Sequence, residues 1–189
     1  MADGSRTLST DAAKTLVHAR ISCRVNYCNS ILYGACATHV RPLQSVLNGA
    51  ARLIVGKRKY DHITDTITFT FTMCHDLHWL PVRQRIQYKL GTMVFKCLRR
   101  MAPSYLADMC TPVSSTTGRQ HLSSAARHDL TIPRSRLARY GSRSFATSGP
   151  SIWNSLPLTV RDNSLVSVVD LKLNCISKHM MDIQHPRDR

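Results

Sequence analysis

The chain has 189 residues, 43% of them hydrophobic, enough for one modest core with an appended lobe and too few for a large multidomain enzyme. Its 26 Lys and Arg against 11 acidic residues give a net charge of +15 and a pI near 10.1, which points to a polyanionic partner: RNA, DNA or an anionic surface. Every acidic residue is Asp, which excludes mechanisms that need a glutamate acid, base or ligand.

The opening "MADGSRTLSTDAAK" has no apolar signal core, and no run of about 18 apolar residues occurs after it, so the sequence predicts a soluble, intracellular chain, nuclear or cytoplasmic, without a membrane partner. Ser9 and Thr10 are capping candidates for a helix from Asp11 to His18. "CRVNYCNSILYG" continues it, as a second short helix or past a kink, and stops at Gly34. Pro42 suits a first helical turn, and Leu43, Val46, Leu47, Ala50, Leu53 and Ile54 then recur at helical steps to Gly56, predicting an amphipathic helix with those residues as its core face. Lys57 to Lys59, "KRK", reads as a basic cap on that helix or a small binding knot. "TITFTFTM", Thr66 to Met73, alternates strictly and predicts a strand.

"HDLHWLPVRQRIQYKLGTMVFKCLRRMAPSYL" is the best-organised stretch. A helix starting at Pro81 places Ile86, Leu90, Met93, Val94, Cys97 and Met101 on one arc and Arg85, Lys89, Lys96, Arg99 and Arg100 on another. No acid lies between Asp76 and Asp108, so the basic arc is a candidate phosphate-facing surface, against the alternative of a solvated face. Pro103 breaks the helix, and "SYLADMC" forms one more turn. From Thr111 the composition turns to Pro, Ser, Thr and Gly, which places a lobe boundary there. Short extended pieces are expected at Leu130 to Ile132 and Ser144 to Ala146. Arg127, Arg134, Arg136, Arg139 and Arg143 interleave with Tyr140 and Phe145, a pattern that grips phosphates and stacks on bases where the aromatics are not core. In "GPSIWNSLP", Ser151 and Ser155 have no His nearby, so Trp153 reads as a packing anchor beside Ile152, Leu156 and Leu158; Trp79 invites the same reading for the first lobe.

Cys23, Cys28, Cys36 and His39 form a conceivable ligand set, and Cys175 with His179 has helical spacing, yet neither carries the tight C-x-x-C pair of a zinc site. Reduced cysteines on apolar helix faces, with no metal and no cofactor, are the expectation. Gly-rich phosphate loops, H-E-x-x-H and G-x-S-x-G do not occur.

Taken in order, "LSTDAAKTLVHA", "YCNSILYG", "LQSVLNGAARLI", "LHWLPVRQRIQYKLGTMVFKCLR", "APSYLADM", "LTIPRSRLARYGSRSFATSGPSIWNSLP" and "LTVRDN" resemble the region downstream of the polymerase active site in non-LTR retrotransposon reverse transcriptases of the CR1/L2/jockey-like kind. The resemblance runs from about Leu8 to Leu165. It implies a thumb for the early helices and a C-terminal extension after them. The family's paired metal-binding aspartates and its endonuclease lie upstream of the matching region, and this chain has no adjacent Asp pair to hold Mg²⁺, so no catalytic residue and no enzyme activity are expected. "TITFTFTM" and the text after Asp170 depart from the family pattern, the first as an insertion, the second as a divergent ending, and "MADGSR" looks like a new start.

The resulting expectation is a mainly α chain: a small helical bundle over 1–110, an irregular Arg-rich lobe with short strands over 111–165, and a divergent tail over 166–189. Its expected role is a non-catalytic reverse-transcriptase fragment that binds RNA or DNA electrostatically without sequence preference. Two alternatives stand beside it: an interaction module that docks on an intact retroelement polymerase, and a decayed reading frame without selected function.

Overall fold

Ser9 opens the first helix as its sequence position predicts, its hydroxyl accepting from the Ala12 N–H at 3.3 Å. The structure, a computed structural model, describes residues 9–55, 80–135, 137, 140–161 and 170–177. The "TITFTFTM" tract, the "KRK" knot, Trp79, His179 and the end of the tail lie outside the described residues. The chain is mainly helical and divides into two units, Met1–Asn29 with Ala35–Val82, and Ser30–Gly34 with Arg83–Arg189.

In the first unit, α1 (Thr10–Val17) runs through a π turn (His18–Ser22) into α2 (Cys23–Asn26). Ala13, Val17, Ser22 and Val25 are its buried positions. A 3₁₀ turn (Asn29–Leu32) and Gly34, at φ +67, of which Ser30–Gly34 belongs to the second unit, come before α3 (Ala37–Val55) in the chain. This helix begins five residues before Pro42, which therefore sits inside it rather than in its first turn. Its buried face is Val40, Leu47, Ala50, Ala51 and Ile54, whereas Val46 and Leu53 are exposed. Both belong to the expected apolar set; they lie at that set's edge, and the buried stripe is rotated toward the small residues Ala50 and Ala51. Gln44 of α3 reaches Val82, the last residue of this unit: its Oε1 accepts from the Val82 N–H, the first of α4 (Val82–Leu98), at 2.9 Å, and its Nε2 donates to Asn48.

The second unit is built on α4. Val94, Phe95 and Cys97 share a core with Cys110, Leu130, Trp153, Val160 and Leu171. This core spans Thr111, so no boundary falls there; the Ser- and Thr-rich connector is surface loop on a single packed unit. Two short helices, α5 (Ser104–Ala107) and α6 (Ser123–Ala126), lie between, with 3₁₀ turns at Val113–Ser115 and Gly141–Arg143. α7 (Phe145–Asn154) takes in the piece expected to be extended at Ser144 to Ala146, of which only Ser144 has β backbone, as the N-cap. Pro150 sits inside α7, and Gly149 lets the helix approach α4: a Cβ there would lie 3.0 Å from Val94 Cγ2. α8 (Leu158–Arg161) and helical backbone over 170–177 complete the described unit.

The other expected extended piece is a single antiparallel bridge between Pro112 and Leu130. The Val113 N–H donates to Asp129 O at 2.9 Å and the Thr131 N–H to Thr111 O at 2.8 Å. Leu130 itself points its polar backbone the other way, where an Asn154 carboxamide replaces a neighbouring strand: Oδ1 accepts from the Leu130 N–H at 2.8 Å and Nδ2 donates to its carbonyl at 2.9 Å. The flanking residues are held too. Trp153 Nε1–H donates to His128 O at 3.3 Å, and the buried Arg161 pairs with Asp129. Trp153 is 2% exposed and anchors this unit, with Ile152 buried and Leu156 partly buried; Leu158 turns outward and is not part of that packing.

Two helix ends close with Schellman turns. After α4 the Arg100 N–H bonds to Cys97 O and the Met101 N–H to Lys96 O; after α6 the His128 N–H bonds to Ala125 O and the Asp129 N–H to Ser124 O. The left-handed positions are Arg100 at φ 56 and His128 at φ 55, where glycine would avoid a cost of about 1 kcal/mol.

Candidate nucleic-acid interface

The predicted basic arc of α4 separates into a buried half and an exposed half. Arg85 is buried, not surface-facing, and desolvation lowers its pKa from the ordinary arginine value. Lys89 is half-buried. The reason is that α4 is enclosed on most sides: Val82, Ile86, Leu90, Gly91, Val94, Phe95 and Cys97 are all buried, and Gly91 and Phe95 lie off the arc that the sequence pattern identifies. Met101, expected on the apolar arc, lies beyond the helix end and is exposed.

Lys96, Arg99 and Arg100 are exposed at the C-terminal end of α4. Arg99 stacks its guanidinium over the Phe95 ring at 4.8 Å, which fixes its direction. Part of the reason for cations here is local, since they complement the negative end of the helix dipole. The chain next to them carries a feature that the sequence pattern does not announce: Tyr105 is 62% exposed, because Leu106 and Ala107 turn α5 inward and leave the ring on the outside.

The second predicted cluster is more mixed. Arg134 is exposed, and Arg127 is exposed with an ion pair to Asp129 at 3.5 Å that offsets part of its charge. Arg143 is half-buried and packs over Gly34, whose Cβ position would lie 3.6 Å from its Cγ. Arg136 and Arg139 lie outside the described residues. Tyr140 is exposed, as base stacking requires, whereas Phe145 packs against the core.

The early cysteines are a correction. Cys23, Cys28 and Cys36 are exposed rather than core: Cys23 lies about 140° around its helical run from the buried Val17, Cys28 sits in a left-handed turn at φ 50 after α2, and Cys36 precedes α3 outside any helix. Cys36 sits at the start of α3, where hydrogen bonds from Thr38, with Arg41 nearby, lower its thiol pKa. Cys97, Cys110 and Cys175 are buried, and the Cys97 and Cys110 thiols hydrogen-bond to each other. Among the described residues no group of three or more His, Cys or Asp side chains is placed to hold a metal ion, and no helix is long and apolar enough to cross a membrane. A hollow beside Gly91, Ile152 and Leu171 measures about 20 Å³, too small for a nucleotide.

No protein-family model, no curated protein and no solved structure matches this chain.

Proposed function

We infer that this chain is a non-catalytic, reverse-transcriptase-related fragment that binds RNA or DNA through its charge, without sequence preference. The observation that carries the binding is the exposed trio Lys96, Arg99 and Arg100, in a stretch without acid from Leu77 to Ala107, on a chain of net charge +15. Such a surface contacts phosphates and leaves base edges unread. The relation to reverse transcriptases rests on the ordered motifs of the sequence alone.

A salt series tests the binding. With a labelled oligonucleotide, affinity should fall steeply with salt, by a slope of roughly 0.7 to 0.9 per phosphate contacted. Replacing Lys96, Arg99 and Arg100 together by Gln should reduce that slope by about two to three. An affinity weaker than about 100 µM near 0.1 M salt, the weak end of non-specific binding, overturns the proposal. Primer extension on an RNA template with Mg²⁺ or Mn²⁺ should incorporate no nucleotide above a blank.

A second reading has one observation in its favour. Pro42, Val46, Gly49 and Leu53 form an exposed stripe along α3, and the space above Gly49 is open. A face of this kind suits docking against a protein, an intact retroelement polymerase among the candidates.

A further inference from the structure

We propose that the ridge from Lys96 to Tyr105 is a single-strand site, in which the Tyr105 ring stacks on an unpaired base while Lys96, Arg99 and Arg100 hold the adjoining phosphates. This rests on the nucleic-acid reading above and narrows it to one class of ligand.

The ridge is defined by what turns inward. Leu98, Ala102, Leu106 and Ala107 pack on the core of the second unit, so the residues between them, Arg99, Arg100, Met101, Pro103, Ser104 and Tyr105, are carried together on the outside. Met101 is 60% exposed and Tyr105 62%, so the apolar surface lies directly beside three cations. A duplex offers this surface little: its phosphates satisfy the cations, but its bases are stacked on one another and present only edges. An unpaired base offers a π-face to the ring and the thioether, and the strand's phosphates remain within reach of the guanidinium and ammonium groups. The acid nearest along the chain is Asp108, which lies just past the ridge.

Arg100 provides an unusually clean probe. It occupies a left-handed backbone position, φ 56, so Arg100→Gly removes the guanidinium while easing the turn. Tyr105 is exposed, so Tyr105→Ala and Tyr105→Phe leave the core untouched.

The experiment uses the full chain and two fluorescein-labelled probes of equal phosphate number, an unstructured homopolymer of about 15 nucleotides and a DNA hairpin, with anisotropy read across a salt series. The homopolymer should bind more tightly than the hairpin. Tyr105→Ala should weaken homopolymer binding about tenfold with its salt slope unchanged, because stacking releases no counterions, and should leave hairpin binding as it was. Tyr105→Phe should bind like the parent. Arg100→Gly should lower the salt slope by about 0.7 on the homopolymer while the chain stays folded. Equal affinity for the two probes, or no effect of Tyr105→Ala, on a chain that does bind and loses slope with Lys96, Arg99 and Arg100, overturns the single-strand site and leaves a general phosphate surface. Absence of binding to either probe removes the nucleic-acid reading itself and this inference with it.

Discussion

Replacing Asn154 by Ala should be among the more damaging single changes outside the apolar core. Its carboxamide makes both bonds to the Leu130 backbone, at 2.8 and 2.9 Å, and Leu130 is 3% exposed. The truncation therefore strands one N–H and one carbonyl, each costing about 1 to 3 kcal/mol when unsatisfied. Asn154 is only half-buried, so water can replace part of what is lost, and the expected destabilisation is about 2 to 4 kcal/mol. Asn154→Asp keeps the acceptor, loses the donor and turns an oxygen toward the Leu130 carbonyl, so it should fall between Ala and the parent. Urea unfolding, followed by Trp153 emission in a Trp79→Phe background, reads the second unit directly. With a urea slope of about 2 kcal/mol per molar, the midpoint for Asn154→Ala should drop by about 1 to 2 M. A drop below about 0.25 M, equivalent to about 0.5 kcal/mol, would mean that Leu130 does not depend on this side chain, and the account of α7 as its strand neighbour would be wrong.

Glycines separate packing from propensity. Gly149→Ala places a methyl 3.0 Å from Val94 and 3.2 Å from Phe145 and should cost about 1 to 3 kcal/mol, whereas Gly49→Ala, with nothing within 4 Å on an exposed helix interior, should gain about 0.5 to 1 kcal/mol by thermal melting. Stability should also fall in alkali. Burial first, and then the neighbouring Cys97, push the Cys110 thiol up to about 12. Above about pH 9 the unfolded chain releases a proton that the folded chain retains, so stability should decline by up to about 1.4 kcal/mol per pH unit. Urea midpoints between about pH 8 and pH 10.5 should decline less steeply for Cys110→Ala than for the parent, and parallel profiles would refute the assignment.

How much of the fold is legible in the sequence depends on which forces act locally. The Ser9 cap and the helical periods of α3 and α4 are set by residues within a turn or two of one another. Trp153, by contrast, is legible as an anchor from its residue type alone and takes its partners, Val94, Leu130 and the His128 carbonyl, from far along the chain. α7 is hidden because "SFATSGPSIWN" has the Gly, Pro and Ser content of a loop; packing on α4 at Gly149 and Val94 overrides that propensity. Arg85 is hidden for a different reason, since it lies about 180° around α4 from Val94 and is buried all the same. A hydrophobic arc identifies one buried face, and nothing in the period announces that α4 is covered on further faces, so a charge at the edge of the arc reads as solvated. In the candidate interface, Lys96, Arg99 and Arg100 are legible from charge and the lack of nearby acids, while Tyr105 is not, because its exposure is decided by which way a four-residue helix rolls. The Asn154 bonds depend on a strand end that lies 24 residues away.

The π turn at His18–Ser22 has a consequence for how this chain tolerates insertions and deletions. At about 100° per residue, an uninterrupted α-helix would set Ser22 about 140° and Val25 about 80° around from Val17. The additional residue in the π turn brings both back to within about 40° of it, in line with Ala13, and these four are the buried positions of the run. The turn thus acts as a frame correction in the helical register, compensating for one surplus residue among the exposed His18, Ala19 and Arg20. Losing any one of those three would regularise the helix and keep its buried stripe aligned. Losing one residue between Ala13 and Val17, or between Ser22 and Val25, would instead set the two ends of that stripe about 100° out of phase.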